Sequence, residues 1–75
     1  MNNIKVGNRF EFNSPTPTPY GKRFEIEVIN INDFREPSMR YGIDICDQNG
    51  LWSCNIKFVG DDFFEINKEK MTKIC

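Results

Sequence analysis

The chain has 75 residues, a net charge of -1 and a pI near 5.3, and contains neither histidine nor alanine. That length leaves room for one domain, and the near balance of ten basic against eleven acidic residues excludes a general attraction for phosphate backbones. With 39% hydrophobic and 28% charged residues the composition is that of a folded, soluble chain rather than a disordered one.

A domain this short buries only about 60% of its unfolded surface, so large side chains must fill its core. Seven Phe, two Tyr and one Trp supply them. No apolar run approaches the ~20 residues of a membrane span, and the opening Met1-Asn2-Asn3-Ile4-Lys5 lacks a signal-peptide core. A cytoplasmic location without membrane contact is expected.

In chain order, Ile4, Val6, Asn8, Phe10 and Phe12 alternate with Lys5, Gly7, Arg9 and Glu11, which predicts a first strand bent at Gly7. Residues 14–21 carry proline at positions 15, 17 and 19, so they form an extended loop without backbone donors at those sites. Phe24, Ile26 and Val28 alternate with Glu25 and Glu27 as a second strand. Their phase slips at Ile29 and Ile31, which a bulge near Val28 or Ile29 explains. A second loop spans residues 32–38.

Two apolar/polar runs between residues 41 and 58, joined by Asp47-Gln48-Asn49-Gly50, then predict a hairpin. Asp starts the turn with its side-chain acceptor, and Gly ends it where positive φ costs little. Parity sets Ile45 opposite Trp52, Ile43 opposite Cys54 and Tyr41 opposite Ile56, leaving Asp44, Ser53, Asn55 and Lys57 outside. Gly60-Asp61 marks another turn. Residues 63–66 read as a strand or as a helical turn capped by Asp61, and residues 71–74 as a short closing strand. Phe10, Phe12, Phe24, Phe58 and one of Phe63 and Phe64 are expected in the core.

The order of strand, long loop, bent strand, meander and short last strand resembles the SH3-like small barrel shared by SH3, Tudor and KOW modules. The resemblance covers nearly the whole chain at the level of architecture, without the Ala-Leu-Tyr-Asp-Tyr signature of peptide-binding SH3 domains. The fold expected is all-β: a single domain over residues 1–75, either a five-stranded SH3-like barrel or a strongly bent antiparallel sheet with a Pro-rich first loop. An OB barrel is the competitor, but its usual helix has no clear place.

Chemistry is sparse. Without histidine there is no Ser-His or Cys-His pair, and Asp61 and Asp62 are neighbours whose side chains diverge on an extended chain. The three cysteines form no Cys-x-x-Cys, and at the predicted register Cys46 and Cys54 lie on opposite faces, so neither zinc nor a disulfide is expected. No enzyme activity, cofactor or metal is expected.

Ten aromatic rings exceed what so small a domain can enclose, which favours a contact surface. Tyr20 and Phe34 fall in loops, and Arg35, Met39 and Arg40 flank Phe34 and Tyr41. Tyr20, Arg23, Phe34, Arg35, Met39, Arg40 and Tyr41 are therefore the candidate partner-binding residues. A protein partner is expected. The alternative is nucleic acid, with bases stacked on aromatics beside a stripe of Lys22, Arg23, Arg35, Arg40 and Lys57. A free strand edge would also allow a dimer. The Asn-, Ile-, Phe- and Lys-rich, Ala-free composition fits an AT-rich genome, and with it a phage or mobile-element accessory protein that binds and modulates a host protein.

Overall fold

The structure, a computed structural model, describes residues 4–74; the third of the three cysteines, Cys75, for which neither zinc nor a disulfide is expected, lies outside them. Five strands, β1 (Arg9–Asn13), β2 (Arg23–Ile31), β3 (Tyr41–Cys46), β4 (Lys57–Val59) and β5 (Met71–Lys73), form one antiparallel sheet in the order β4-β3-β2-β1-β5. The sheet does not close into a barrel. β4 and β5 are edge strands of three residues each, too short to span the gap, and the helix α1 (Asp61–Ile66) with a following 3-10 turn runs between them in sequence. The bent open sheet, not the barrel, is the form adopted.

Within β1 and β2 the alternation reads as expected. Phe10 and Phe12 stand opposite Ile26 and Phe24, and all but the half-buried Phe24 are buried. β1 itself starts only at Arg9, because the chain turns at Val6 and Gly7, where φ is +94°. The predicted bulge is present: Val28 pairs with Ile43 and Asn30 with Gly42, leaving Ile29 as the extra residue. That insertion inverts the phase, so that Ile31 reaches the core side opposite Tyr41.

Phe64 of α1 fills the centre of the core. It is fully buried between Phe10 (ring centroids 5.7 Å apart) and Tyr41 (5.2 Å, edge to face), with Phe63 5.4 Å away. Burying such a ring stabilises the fold by about 2–3 kcal/mol. Of the two readings for residues 63–66, the helical turn is therefore the one adopted. Its N-cap is Gly60, not Asp61, and a Cβ at Gly60 would run into the backbone of Pro37 and Ser38. The glycine lets the 3-10 turn Pro37–Met39 pack directly on the helix start.

Asp47 and Gly50 take the turn roles expected of them, but the loop holds five residues, 47–51, rather than four, and that odd count shifts the register beyond it. The Asp47 carboxylate accepts hydrogen bonds from the backbone N–H groups of Asn49 and Leu51, and Gly50 closes the turn at φ +83°. Cys46, not Ile45, then faces Trp52. The chain after Trp52 leaves the sheet: Ser53, Cys54 and Asn55 form a corner with Cys54 at φ +58°, and pairing resumes with Ile43 opposite Lys57, Gly42 opposite Phe58 and Tyr41 opposite Val59.

A one-residue slip exchanges the two faces of a strand. Phe58, expected in the core, is 43% exposed on the outer face, while Lys57, expected outside, stands in register with the core residue Ile43. Trp52 likewise leaves the core side and joins Cys46 on the outer face. What holds the corner is Asp44, whose Oδ1 accepts from Ser53 Oγ at 2.7 Å and from the backbone N–H of Cys54 at 3.1 Å.

Candidate functional site

Residues 32–40 form a tightly tied loop between β2 and β3. The N–H of Asn32 donates to the Arg40 carbonyl at 3.0 Å, and the Asn32 side-chain oxygen accepts from the N–H of Phe34 at 2.9 Å. Pro37 opens the 3-10 turn, which the Met39 N–H closes onto the Glu36 carbonyl at 2.8 Å. The Arg35 guanidinium reaches back under this loop, donating to the Met39 carbonyl at 3.1 Å and to the Asn30 side-chain oxygen. It also lies over the Phe58 ring, 4.6 Å from the centroid.

Beside it, Ile56 and Phe58 both approach Gly42, the one position of β3 with no side chain to separate them from the sheet. Phe34 is left wholly in solvent at 101% exposure, with Met39 at 42% and Ile56 at 51%. Arg35, Phe58 and Ile56 thus form a continuous surface at the β4 edge, and the loop carrying Phe34 and Met39 borders it.

The structure divides the seven predicted contact residues. Phe34, Arg35 and Met39 come together on one loop as expected. Arg40 and Tyr41 are bound instead to α1: Arg40 Nη1 lies 2.8 Å from Asp61 Oδ2 and its Nε 3.5 Å from Asp33, and the Tyr41 hydroxyl donates to Asp61 Oδ1 at 2.6 Å. Tyr41 is buried. Burial, and then the Asp61 carboxylate beside it, push its phenol above the usual value.

Arg23 makes a two-nitrogen contact to Glu11 Oε1, at 2.9 and 2.7 Å. Tyr20 packs on Phe24, 5.5 Å between ring centroids, with the Lys57 ammonium 5.2 Å from its own ring. Of the basic stripe considered for nucleic acid, Arg23 and Arg40 are therefore neutralised by carboxylates, Arg35 is held against Phe58, and Lys57 belongs to the other side of the sheet.

The alternation places Ile56 and Phe58 on the wrong face because the turn before them holds five residues, 47–51, rather than four. The one signal available was Gly42, which breaks the bulky run of β3 and leaves room for a ring. Elsewhere on the outer face, Arg9 lies 5.2 Å from the Trp52 ring and 2.8 Å from Glu25. Cys46 is buried there, its thiol raised by burial and by the carboxylates of Glu25 and Asp47, while Cys54 is exposed.

Among the described residues there is no cluster of three or more side chains able to hold a metal ion, and no helix long and apolar enough to cross a membrane. Comparison with known proteins finds no matching family model, no matching curated protein and no matching solved structure. Fold and surface together define a small all-β domain with an exposed apolar edge built around an anchored arginine.

Proposed function

We propose that this chain is a non-enzymatic protein-interaction module of SH3-like architecture, an accessory protein of a phage or mobile element that binds and modulates a host protein through the surface of Phe34, Arg35, Met39, Ile56 and Phe58. The strand order, with β1 flanked by β2 and β5, supports the architecture. The observation that carries the function is Phe34: a ring fully in solvent on a loop otherwise held by hydrogen bonds at both ends. Arg35 is fixed before binding and Phe34 sits on a backbone already ordered, so contact costs little conformational entropy beyond the Phe34 rotamer, and such residues dominate interface hot spots.

Affinity capture from host lysate with nuclease treatment, at low and high salt, tests the reading. The wild type should retain one stoichiometric protein. Phe34→Ala, at a position that contributes nothing to the core, should weaken that complex by about 2 kcal/mol, roughly thirtyfold. Binding that disappears with nuclease and falls steeply with salt would refute it in favour of nucleic acid.

A further inference from the structure

β4 and β5 lie at opposite edges of the sheet, and α1 covers only part of its core side. There a cleft of about 310 Å³ opens onto Phe24, Ile45, Val59 and Phe63, with Lys57 and Lys70 also in its lining. Its chemistry is one-sided: the chain has eleven carboxylates, yet none lines this cleft. Lys57 is there because the turn holds five residues, 47–51, which sets Trp52 opposite Cys46 and inverts the expected faces; the corner at residues 53–55 adds two more residues and keeps that phase. Its ammonium faces the Tyr20 ring, and neither it nor Lys70 has an ion-pair partner among the described residues.

An apolar wall with two uncompensated cations suits an amphiphilic anion and disfavours an amphiphilic cation or a basic peptide. Size narrows it further. At about 30 Å³ of liquid volume per water-sized centre, the cleft holds on the order of ten heavy atoms, a small molecule rather than a folded partner.

We infer that this cleft binds a small amphiphilic carboxylate, its alkyl or aryl body against Phe24, Ile45, Val59 and Phe63 and its carboxylate between Lys57 and Lys70. This site lies apart from the Phe34 surface, on the opposite side of β4, and stands or falls independently of the proposed protein contact. Charge-assisted contacts to a carboxylate give the head-group selectivity, and apolar burial gives most of the affinity.

Titration of the full chain with decanoate, decan-1-ol and decyltrimethylammonium, followed by amide chemical shifts and calorimetry, tests it. Decanoate should bind one per chain, shifting the amides of Tyr20, Phe24, Lys57 and Lys70, and the cationic analogue should bind at least roughly tenfold more weakly. Lys57→Gln with Lys70→Gln should abolish that preference, so that decanoate binds no better than decyltrimethylammonium, while the amides of the sheet away from Tyr20, Lys57 and Lys70 keep their folded dispersion. As both lysines are exposed, the variant keeps its core. Equal affinity for the three head groups would overturn the inference. So would shifts confined to the Phe34 surface, or stronger occupancy of the same cleft by an apolar peptide or an oligothymidylate than by decanoate.

Discussion

Replacing Asp44 by alanine tests the device that holds the corner before β4. Its carboxylate accepts from Ser53 Oγ and from the Cys54 N–H, and these two bonds hold a corner in which Cys54 sits in the left-handed region at φ +58°. A hydrogen bond to a buried charged acceptor contributes about 1.5–3 kcal/mol. Asp44 is half-buried, so solvent screening lowers each to ~1 kcal/mol, and Asp44→Ala should cost about 2 kcal/mol. For a chain this length the total stability is on the order of 4–11 kcal/mol. The loss is therefore a large share of it, and lowers Tm by roughly 10 °C.

Urea unfolding followed by far-ultraviolet circular dichroism measures the global loss, and amide hydrogen exchange at Lys57–Val59 reports the strand. Asp44→Asn, which keeps one acceptor oxygen, should lose less than half as much. If Asp44→Ala loses under ~0.5 kcal/mol and the exchange of Lys57–Val59 is unchanged, the carboxylate does not hold the corner.

Two further outcomes follow from single groups. Tyr41 has its pKa raised in the fold, so the stability it contributes is complete below the unfolded phenol value of about 10 and is lost as pH rises through the folded value. Chemical denaturation between about pH 9 and 11 should show the wild type falling more steeply than Tyr41→Phe, and parallel curves would contradict the assignment. In the native protein Cys54 should react with a disulfide reagent at neutral pH while Cys46, buried and held protonated, stays unmodified until denaturant is added. Both cysteines lie on one tryptic peptide, residues 41–57, so fragmentation of that peptide by tandem mass spectrometry locates the label, and equal labelling would count against a closed outer face at Cys46.

The legible parts of the fold were those fixed by local chemistry. Proline at alternate positions of residues 14–21, the Asp47-to-Gly50 turn, the alternation around Phe10 and Phe24 and the phase slip at Ile29 each act within a few residues and could be read directly. The second half of the hairpin departs from the alternation in two steps: Leu51 lengthens the turn to five residues and inverts the faces, and the corner that follows has a distant cause. Nothing in the order Ser53-Cys54-Asn55 announces a corner; it exists because a carboxylate ten positions away satisfies Cys54.

The same remoteness limited the site. Phe34, Arg35 and Met39 share one short loop and were found together. Arg40 and Tyr41 were taken for contact residues because their partner, Asp61, lies beyond another strand. Ile56 and Phe58 fall outside only once the turn is known to hold five residues rather than four. Tyr20 belongs to a second region altogether, beside Lys57.

The position of β1 bears on how the sheet is assembled. Its pairings with β2, like those of β2 with β3 and β3 with β4, join consecutive strands, whereas its other edge waits for β5, with Phe10 matched to Lys73 and Phe12 to Met71. Closing a loop of some sixty residues costs roughly 1.5 kcal/mol more than closing one of ten. A chain leaving the ribosome can therefore zip the four-strand meander early, while the backbone groups on the far side of β1 stay open until β5 has been made. During that interval β1 carries two buried-to-be phenylalanines beside an unpaired edge, the arrangement most prone to pairing with another nascent copy. The three-residue β5, which adds little to the core beyond Met71, is in that sense the cover that ends the chain's vulnerable period.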